Sequence, residues 1–207
     1  MAAAGFWWMI VWLAGAESLV RADQANAVEF PAQEAKFVRF VIRATSGSQP
    51  CLDELELYGE DRQRNLALAS AGAKASASSC LPGYPQHAIE HLNDGLYGNE
   101  YSWIAATTGE EWAQIELPKP SKLCKVVFSR DRNGEYADRV PIAFEIWLSL
   151  DGKQWTTVKK VSAKAAAGAI RRRPGGFAVL LPEPPPPPVP SKSGPVSRFK
   201  ALQETKA

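Results

Sequence analysis

The residues with the most obvious potential for catalysis are the two histidines, His87 and His91, which lie four positions apart in HAIEH. On a helix this spacing would place both imidazoles on one face, as in a zinc-binding pair. The glutamate, however, does not occupy the position of the general base in His-Glu-x-x-His, and the sequence contains neither a Gly-x-Ser-x-Gly motif nor a P-loop. We therefore predict surface or loop-packing histidines and a protein that is not an enzyme.

A second candidate is the segment LNDGLYGNEYSW, where Asp94 and Gly95 begin a loop rich in glycine and in oxygen-bearing side chains. Calcium binds several oxygens, which loops supply through carboxylates, amides, hydroxyls and backbone carbonyls. The spacing is not that of an EF-hand. The pattern is compatible with a calcium-binding loop around Asp94 or with an ordinary Asp-Gly turn.

Two further loops, CLPGYPQH at 80–87 and SRDRNGEYADRVP at 129–141, combine aromatic rings with planar hydrogen-bond donors. Sugars are recognised by this combination, because their C–H groups pack on aromatic faces while their hydroxyls form hydrogen bonds. The predicted ligand contacts are Tyr84, His87, Arg130, Arg132, Asn133, Tyr136 and Arg139. As an alternative, Arg139 forms an ion pair with Asp138 or Asp131.

Strands must position these loops, because short runs of alternating apolar and polar residues dominate the sequence. In KFVRFVIRA, for example, Val38, Phe40 and Ile42 share one face of a predicted strand. The same alternation occurs in DELELYG, EEWAQIEL, LCKVVFS and AFEIWLS, and Asp151-Gly152 predicts a hairpin turn. The pattern predicts an all-β protein, an antiparallel β-sandwich or jelly roll.

The beginning of the chain has a different composition. The apolar run from Ala2 to Ala16 has the length of a signal-peptide core. Residues 1–27 are therefore predicted to be a signal peptide, with the mature N-terminus at Asp23 or Val28. An uncleaved N-terminal anchor is the alternative. Either outcome predicts that the folded part is exported.

The segment after the last predicted strand also differs from the sandwich. Residues 162–182 are predicted to be a linker in which FAVLL could form one more strand. Residues 183–207 are predicted to be a disordered proline-rich tail, whose PEPPPPPVP run is extended because proline lacks the amide proton of regular structure.

Charge and cysteine content limit the partners and metal centres to expect. The formal net charge of +2 gives no reason to expect a nucleic-acid partner. The chain has no Cys-x-x-Cys motif, so structural zinc has no local signature. Export would permit a disulfide among Cys51, Cys80 and Cys124, but the sequence does not determine a pairing. Cys124 alternates with apolar residues and is predicted to be buried.

Several of these segments together resemble a known family. Residues 65–160 are similar to the discoidin domain, also called the coagulation factor 5/8 type C domain, of the galactose-binding-like superfamily. The similar segments are NLALASAGAKASASS, IEHLNDGLYGNEYSWIA, EEWAQIELPKPSKLCKVVFSRDR and PIAFEIWLSLDGKQWTTV. They are most similar to discoidin-like modules of secreted planctomycete-type bacterial proteins.

The order of the segments differs from that of the family. Family domains usually end with a VRYVRI-like strand and then EIEVYG, whereas here the similar AKFVRFVIRA and CLDELELYG precede NLALAS. The resemblance therefore implies a circularly permuted sandwich over residues 28–161, in which residues 28–60 supply the family's terminal strands. Alternatively, the domain borrows these strands from a truncated preceding copy.

The resemblance also implies a function and a metal site. It implies an exported, non-catalytic module, secreted, periplasmic or on the cell surface, that binds a glycan or another cell-surface ligand. Protein- or lipid-binding adhesion and an accessory role to a secreted enzyme are the alternatives. No membrane span is expected after signal removal. Family members commonly hold a structural Ca2+ at the Asp-Gly loop. Carried over, the metal ligands are Asp94, Asn99, Ser102 and Glu54.

Overall fold

The computed structural model of the protein describes residues 20–162. The predicted signal-peptide core, nearly all of the linker and the proline-rich tail lie outside these residues. Within the described range the strands are β1 (Asn26–Thr45), β2 (Cys51–Leu52), β3 (Glu54–Tyr58), β4 (Lys74–Ala77), β5 (Trp103–Ile104), β6 (Glu111–Ser129), β7 (Pro141–Ser149) and β8 (Thr156–Val161). Short 3-10 helices cover Ala69–Ala71, Pro85–His87, Ile89–Asn93 and Asn99–Tyr101.

The long strands β1 and β6 pair with each other and contribute to both layers of the fold. Residues 26–35 of β1 pair with the C-terminal half of β6, and residues 37–42 pair with its N-terminal half. The register shifts between these two ladders. On β6 this region contains Pro118 and Pro120, which cannot donate ladder hydrogen bonds and so favour a break in the regular pairing.

The two layers enclose one hydrophobic core. One layer has the order β4-β6-β1-β7-β8, and the other joins the remaining halves of β1 and β6 to β3. Phe40 of the first layer contacts Phe128 of the second, with ring centroids 4.8 Å apart, and stacks on Phe144 at 4.7 Å. Val38 and Ile42 are fully buried beside Phe40. The predicted antiparallel β-sandwich is confirmed.

The structure differs from the simple alternation predicted for β3. Leu55 and Leu57 face the core as expected, but Glu54 and Glu56 on the opposite face are also buried. The reason is that loops cover this face: the backbone N–H of Gly95 donates to the Glu54 carboxylate at 3.2 Å. A period-two pattern therefore identified the core face but not the burial of the polar face.

β1 and β3, from the N-terminal part of the chain, complete the two layers of the sandwich. β1 lies between β6 and β7, and β3 pairs with β6 on the side away from β1. Without β1, the β6 and β7 strands would each lose a hydrogen-bonding neighbour. This topology is what the permutation hypothesis requires, and the permutation itself stays a prediction.

β1 begins at Asn26, so the predicted boundary between residues 27 and 28 falls inside a strand. All three cysteines are free; Cys124 is buried as predicted, Cys51 is buried and Cys80 is exposed. In the range 20–162 no helix has the length and apolar character needed to cross a membrane.

Candidate functional site

The predicted site residues come from distant segments that meet where the strands end. We call this region the loop end and define it as residues 46–54, 80–102 and 130–139. Hydrogen bonds connect the three segments directly: Asp53 accepts from Gly98 and from Arg132, and Arg130 donates to Asn99. The structure therefore brings the predicted residues into one region.

The buried carboxylate of Asp131 shapes the turn that carries most of the predicted ligand contacts. It is 0% exposed and accepts the backbone N–H groups of Asn133 at 3.2 Å, Glu135 at 3.0 Å and Tyr136 at 2.7 Å. Backbone amides that would otherwise be left without partners are satisfied by one anion, and such charge-assisted bonds are stronger than neutral ones. Asp131 thus fixes the conformation of residues 131–136.

Asp53 performs a similar task between two loops. Its fully buried carboxylate accepts the N–H of Gly98 at 3.0 Å and the N–H of Arg132 at 2.9 Å. Ser129 donates its hydroxyl to the other carboxylate oxygen. Because these donors lie on different segments, Asp53 fixes the position of the 94–102 loop relative to the 130–139 loop.

Arg130 is positioned inside the loop end. Its side chain is 2% exposed. Its Nε donates to the Asp138 carbonyl at 2.9 Å, one terminal nitrogen to Asp138 Oδ1 at 2.9 Å, and the other to Asn99 Oδ1 at 3.0 Å. Tyr136 lies beside the guanidinium, with its ring centroid 5.4 Å away. Arg130 was predicted to contact a ligand; in the structure its guanidinium is enclosed by the protein and holds loops together.

His87 is likewise buried, at 8% exposure, and its Nδ1 lies 2.9 Å from the hydroxyl oxygen of Ser102. The Ser102 hydroxyl donates its proton to the Asn99 carbonyl at 2.7 Å, so His87 Nδ1–H is the donor to Ser102. Burial, reinforced by the positive charge of Arg130, lowers the pKa of His87. A neutral, hydrogen-bonded histidine fits the predicted loop-packing role.

A carboxylate pair lies on the β3 side of the loop end. Glu54 is fully buried. Of the buried side-chain oxygens and nitrogens in the described residues, its Oε1 is the one without a hydrogen-bond partner. Burial, assisted by the neighbouring negative charge of Asp94, raises the pKa of Glu54 to about 9. Asp94 itself accepts from the N–H of Leu96 at 2.7 Å and from His91 Nδ1 at 2.7 Å.

These features fit a cation bound between Glu54 and Asp94. A divalent ion would give the orphaned Glu54 oxygen a partner and would neutralise the repulsion between the two carboxylates. No cluster of three or more His, Cys, Asp or Glu side chains in residues 20–162 is arranged to hold a metal. The remaining ligands would therefore be backbone carbonyl, amide or hydroxyl oxygens, which Ca2+ accepts readily.

The other two predicted metal ligands are engaged elsewhere. The Asn99 side-chain oxygen accepts from Arg130, and its backbone carbonyl accepts from Ser102. Ser102 is fully buried between Asn99 and His87. The structure therefore gives Asn99 and Ser102 loop-packing contacts, and the orphaned oxygen that points to a cation belongs to Glu54.

The exposed part of the loop end combines aromatic, guanidinium and amide groups. The Arg132 guanidinium lies over the Tyr97 ring, 4.0 Å from its centroid, and also binds Glu56 and the Ser129 hydroxyl at 2.8 Å. Asn133 is exposed and its amide approaches the Tyr97 carbonyl at 3.4 Å. We define the Tyr97 surface as Leu96, Tyr97, Tyr101, Arg132 and Asn133.

The Tyr97 surface also contains most of the large apolar side chains that are exposed within the described residues. Leu96 is 48% exposed, Tyr97 39% and Tyr101 41%. Leu150, at 54%, lies in the β7–β8 turn instead. Exposed aromatic side chains beside polar groups are typical of binding surfaces.

The remaining predicted contacts flank this surface. Tyr84 is half-buried and, with Cys80 and His87, lines a shallow depression of about 400 Å³. Arg139 is one-fifth exposed and pairs with Asp138, with Nε 3.2 Å from Oδ2; its guanidinium also binds Gln49. The structure thus shows the ion pair with Asp138 that was the alternative interpretation of Arg139.

Sequence reasoning missed three residues of the loop end. Asp53 and Asp131 organise the loops, and Tyr97 forms the centre of the exposed surface. Tyr97 had a usable signal, since an aromatic residue between Gly95 and Gly98 in a polar loop has little core to pack into. The two aspartates had none, because their partners are backbone groups brought together only by the fold.

Comparison with known proteins gives one family. No curated protein and no solved structure matches the chain at a significant level, so the expected similarity to planctomycete-type modules stays a prediction. The family model described as F5/8 type C domain matches residues 74–175, a range that begins at β4 and leaves out β1, β2 and β3. Over residues 74–175 the chain is therefore similar to an F5/8 type C, or discoidin, domain.

Proposed function

We propose that the protein is an exported, non-catalytic binding module that recognises a glycan through the loop end of its β-sandwich. F5/8 type C domains are binding modules for carbohydrates and other ligands, and the matched residues include all the predicted ligand contacts. Export is the part of this proposal that the N-terminal sequence supports.

The Tyr97 surface is the single observation that carries the proposal. It offers an exposed ring for sugar C–H groups and, directly beside it, the planar donors of Arg132 and Asn133 for hydroxyls. The supporting carboxylates of Asp53 and Asp131 are fully buried, so the surface is held in place before a ligand arrives. Preorganisation of this kind lowers the entropic cost of binding.

The test is a binding screen of the exported chain against a broad panel of glycans and polysaccharides, in calcium and again in EDTA. We expect selective binding that is lost in Tyr97→Ala and weakened in Asn133→Ala. Leu150→Ala removes a comparably exposed apolar side chain from the β7–β8 turn and serves as the matched control. A well-folded protein that binds no member of the panel would contradict the proposal.

The same surface supports a second candidate, adhesion to a protein or lipid surface. Leu96, Tyr97 and Tyr101 could insert into an apolar partner. Glu100 and Glu135 lie in the same loops, and their charge opposes docking on an anionic membrane. Binding to phosphatidylcholine vesicles that is lost in Leu96→Ala, with no glycan binding, would favour this second function.

We also propose that Ca2+ binds between Glu54 and Asp94 and stabilises the loop end. When bound, the ion would supply the missing partner of Glu54 Oε1 and fix the Asp94–Gly95 turn. A ligand that binds only the folded protein raises its melting temperature. We expect calcium to raise the melting temperature of the wild type but not of Glu54→Ala, whereas a wild-type melt indifferent to EDTA would contradict the site.

The permuted arrangement is a further part of the proposal. The family match begins at residue 74. In the structure, however, the matched strands β6 and β7 are separated by β1, which precedes the matched residues. Residues 28–60 would thus supply the family's terminal strands. Deleting residues 28–60 should abolish cooperative unfolding, and an unchanged melt would contradict the assignment.

A further inference from the structure

The N-terminal residues that precede β1 are packed against the loop end. Val20 is 7% exposed and belongs to the hydrophobic core. The carbonyl of Ala22 accepts the backbone N–H of Asp131 at 3.0 Å. A side-chain carbon added at Gly134 would lie 3.6 Å from Asp23 Cβ, which places Asp23 against the same turn. Ala22 and Asp23 therefore lie against the turn of residues 131–136, and Val20 anchors the same segment in the core.

Asn26 ties this segment to the sheet. Its side-chain amide donates to the carbonyls of Arg21 at 2.8 Å, Gln24 at 3.1 Å and Phe128 at 3.3 Å, and its Oδ1 accepts the N–H of Arg21 at 2.8 Å. Asn26 is itself 8% exposed. A buried amide with four protein contacts specifies one path for the chain before β1.

Cleavage at either of the positions predicted from the sequence would damage this arrangement. A chain beginning at Asp23 lacks Val20 and Ala22, so the core loses a buried side chain and the Asp131 N–H loses its acceptor. A chain beginning at Val28 also lacks Asn26 and Ala27, which pair with Phe128 and Val127 in the sheet. Neither position leaves the domain intact.

The sequence offers a third position upstream of the packed segment. Ala14-Gly15-Ala16 has small residues at the first and third positions and follows directly on the apolar run. Small residues at these two positions are the sequence requirement of signal peptidases. Cleavage after Ala16 would retain every residue before β1 that the structure describes, including Val20, Ala22 and Asp23.

We propose that a signal peptidase cleaves the Ala16–Glu17 bond, and that residues 20–26, which this cleavage retains, are a structural part of the loop end. Water is added across the peptide bond, giving a carboxylate on Ala16 and an amino group on Glu17. The inference rests on the proposed export but not on the identity of the ligand. It makes Ala22 a positioning residue for the turn that carries Asn133, and Val20 the side chain that anchors the same segment in the core.

The first test is the intact mass of the full-length chain after export from a Gram-negative host with its own leader. The expected mature protein begins at Glu17. Ala16→Val should leave the precursor uncut, whereas the matched Ala22→Val should still yield a chain that begins at Glu17. A mature chain that begins at Asp23 or Val28 overturns the proposal. An uncut wild-type chain also overturns the proposal. Whether that chain is found in the cytoplasmic or the periplasmic fraction then shows whether export occurs.

The second test asks whether the segment has the structural role assigned to it. Two leaderless chains, one beginning at Glu17 and one at Asp23, are compared by thermal melting and by hydrogen exchange. We expect the shorter chain to melt about 5 °C lower or more, because it loses core packing and a buried hydrogen bond, and to lose amide protection at residues 133–136. Equal melting temperatures and equal protection would overturn the proposal, whatever the glycan screen shows.

Discussion

The loop end and the outer face of the β4-β6-β1-β7-β8 layer both concentrate charged and aromatic residues, but they use them differently. At the loop end, buried carboxylates bind backbone amides, as Asp131 does with three of them. On the outer face, side chains bind side chains. Glu145 accepts from Trp147 Nε1 at 2.8 Å and pairs with Lys160 at 2.9 Å.

The two arginine environments show the same contrast. Arg130 is enclosed and donates to fixed oxygens of the loop end. Arg39 on the outer face is stacked between Trp112, at 4.2 Å, and Trp155, at 4.3 Å, and partial burial lowers its pKa. Contacts to the backbone determine the conformation of a loop, whereas side-chain stacking on a regular strand adds stability to a conformation already determined by the sheet. Substitutions should therefore lower the free energy of unfolding more at the loop end than on the outer face.

The largest effect is expected for Asp131→Ala. It leaves three backbone N–H groups of the turn without their buried acceptor, so the free energy of unfolding should fall by about 3 kcal/mol. Asp131→Asn keeps one acceptor oxygen and should lose less. Glu145→Ala on the outer face, measured in the same urea titration, should lose ~1 kcal/mol or less. An equal loss for Asp131→Ala and Glu145→Ala would remove the distinction between the two regions.

A somewhat smaller loss is expected for Arg130→Met, about 2 kcal/mol, since Asn99 and Asp138 lose a buried donor while part of the side-chain packing is kept. Arg62→Met is the control, because Arg62 forms an exposed ion pair with Glu29 and should change stability by ~0.5 kcal/mol or less. Glycan binding by Arg130→Met should fall together with stability. Unchanged stability in this variant would show that Arg130 does not hold the loops.

On the outer face, Arg39→Ala should lower the free energy of unfolding by about 1 kcal/mol through loss of the two ring contacts and of the hydrogen bonds to Gln114. Arg39→Lys should recover little, because lysine lacks the planar group that stacks on indole. Glycan affinity should be unchanged in both variants. A loss of binding in a folded Arg39→Ala protein would place ligand contacts on the sheet face.

The effect of Glu54→Gln should be smallest at pH 5 and should grow with pH. With its folded pKa raised to about 9, Glu54 keeps a proton that the unfolded chain releases above its ordinary pKa of 4.5. In calcium-free buffer Glu54 therefore lowers the free energy of unfolding as pH rises from 5 to 9, and the Glu54→Gln substitution removes this contribution. Chemical denaturation at pH 5 and pH 8 measures the difference. A pH dependence identical in both proteins would contradict the burial assigned to Glu54.

The sequence predicted the sandwich well because its strands follow a local rule. Val38, Phe40 and Ile42 alternate with polar residues and are fully buried in the structure. The loops containing the predicted site residues were also identified, since glycine, tyrosine and arginine cluster in them. What could not be predicted was which of these residues are enclosed and which are exposed.

That distinction depends on contacts between residues far apart in the chain. Asp53 binds the backbone of Arg132, 79 positions away, and the Arg132 guanidinium in turn binds Glu56 on the polar face of β3. Arg130 and Arg132 have the same chemistry and nearly the same position, yet Arg130 is 2% exposed and Arg132 21%. Periodicity has no meaning in a turn, so only the fold separates the two arginines.

The most direct test compares how substitutions in the two regions change the affinity for one ligand. With the strongest-binding glycan of the panel, titration calorimetry would be performed on the wild type, Tyr97→Ala at the loop end and Trp155→Ala on the outer face. We predict at least a tenfold loss of affinity, about 1.4 kcal/mol, for Tyr97→Ala and no more than about a twofold change for Trp155→Ala. The reverse result would show that the sheet face, not the loop end, binds the ligand.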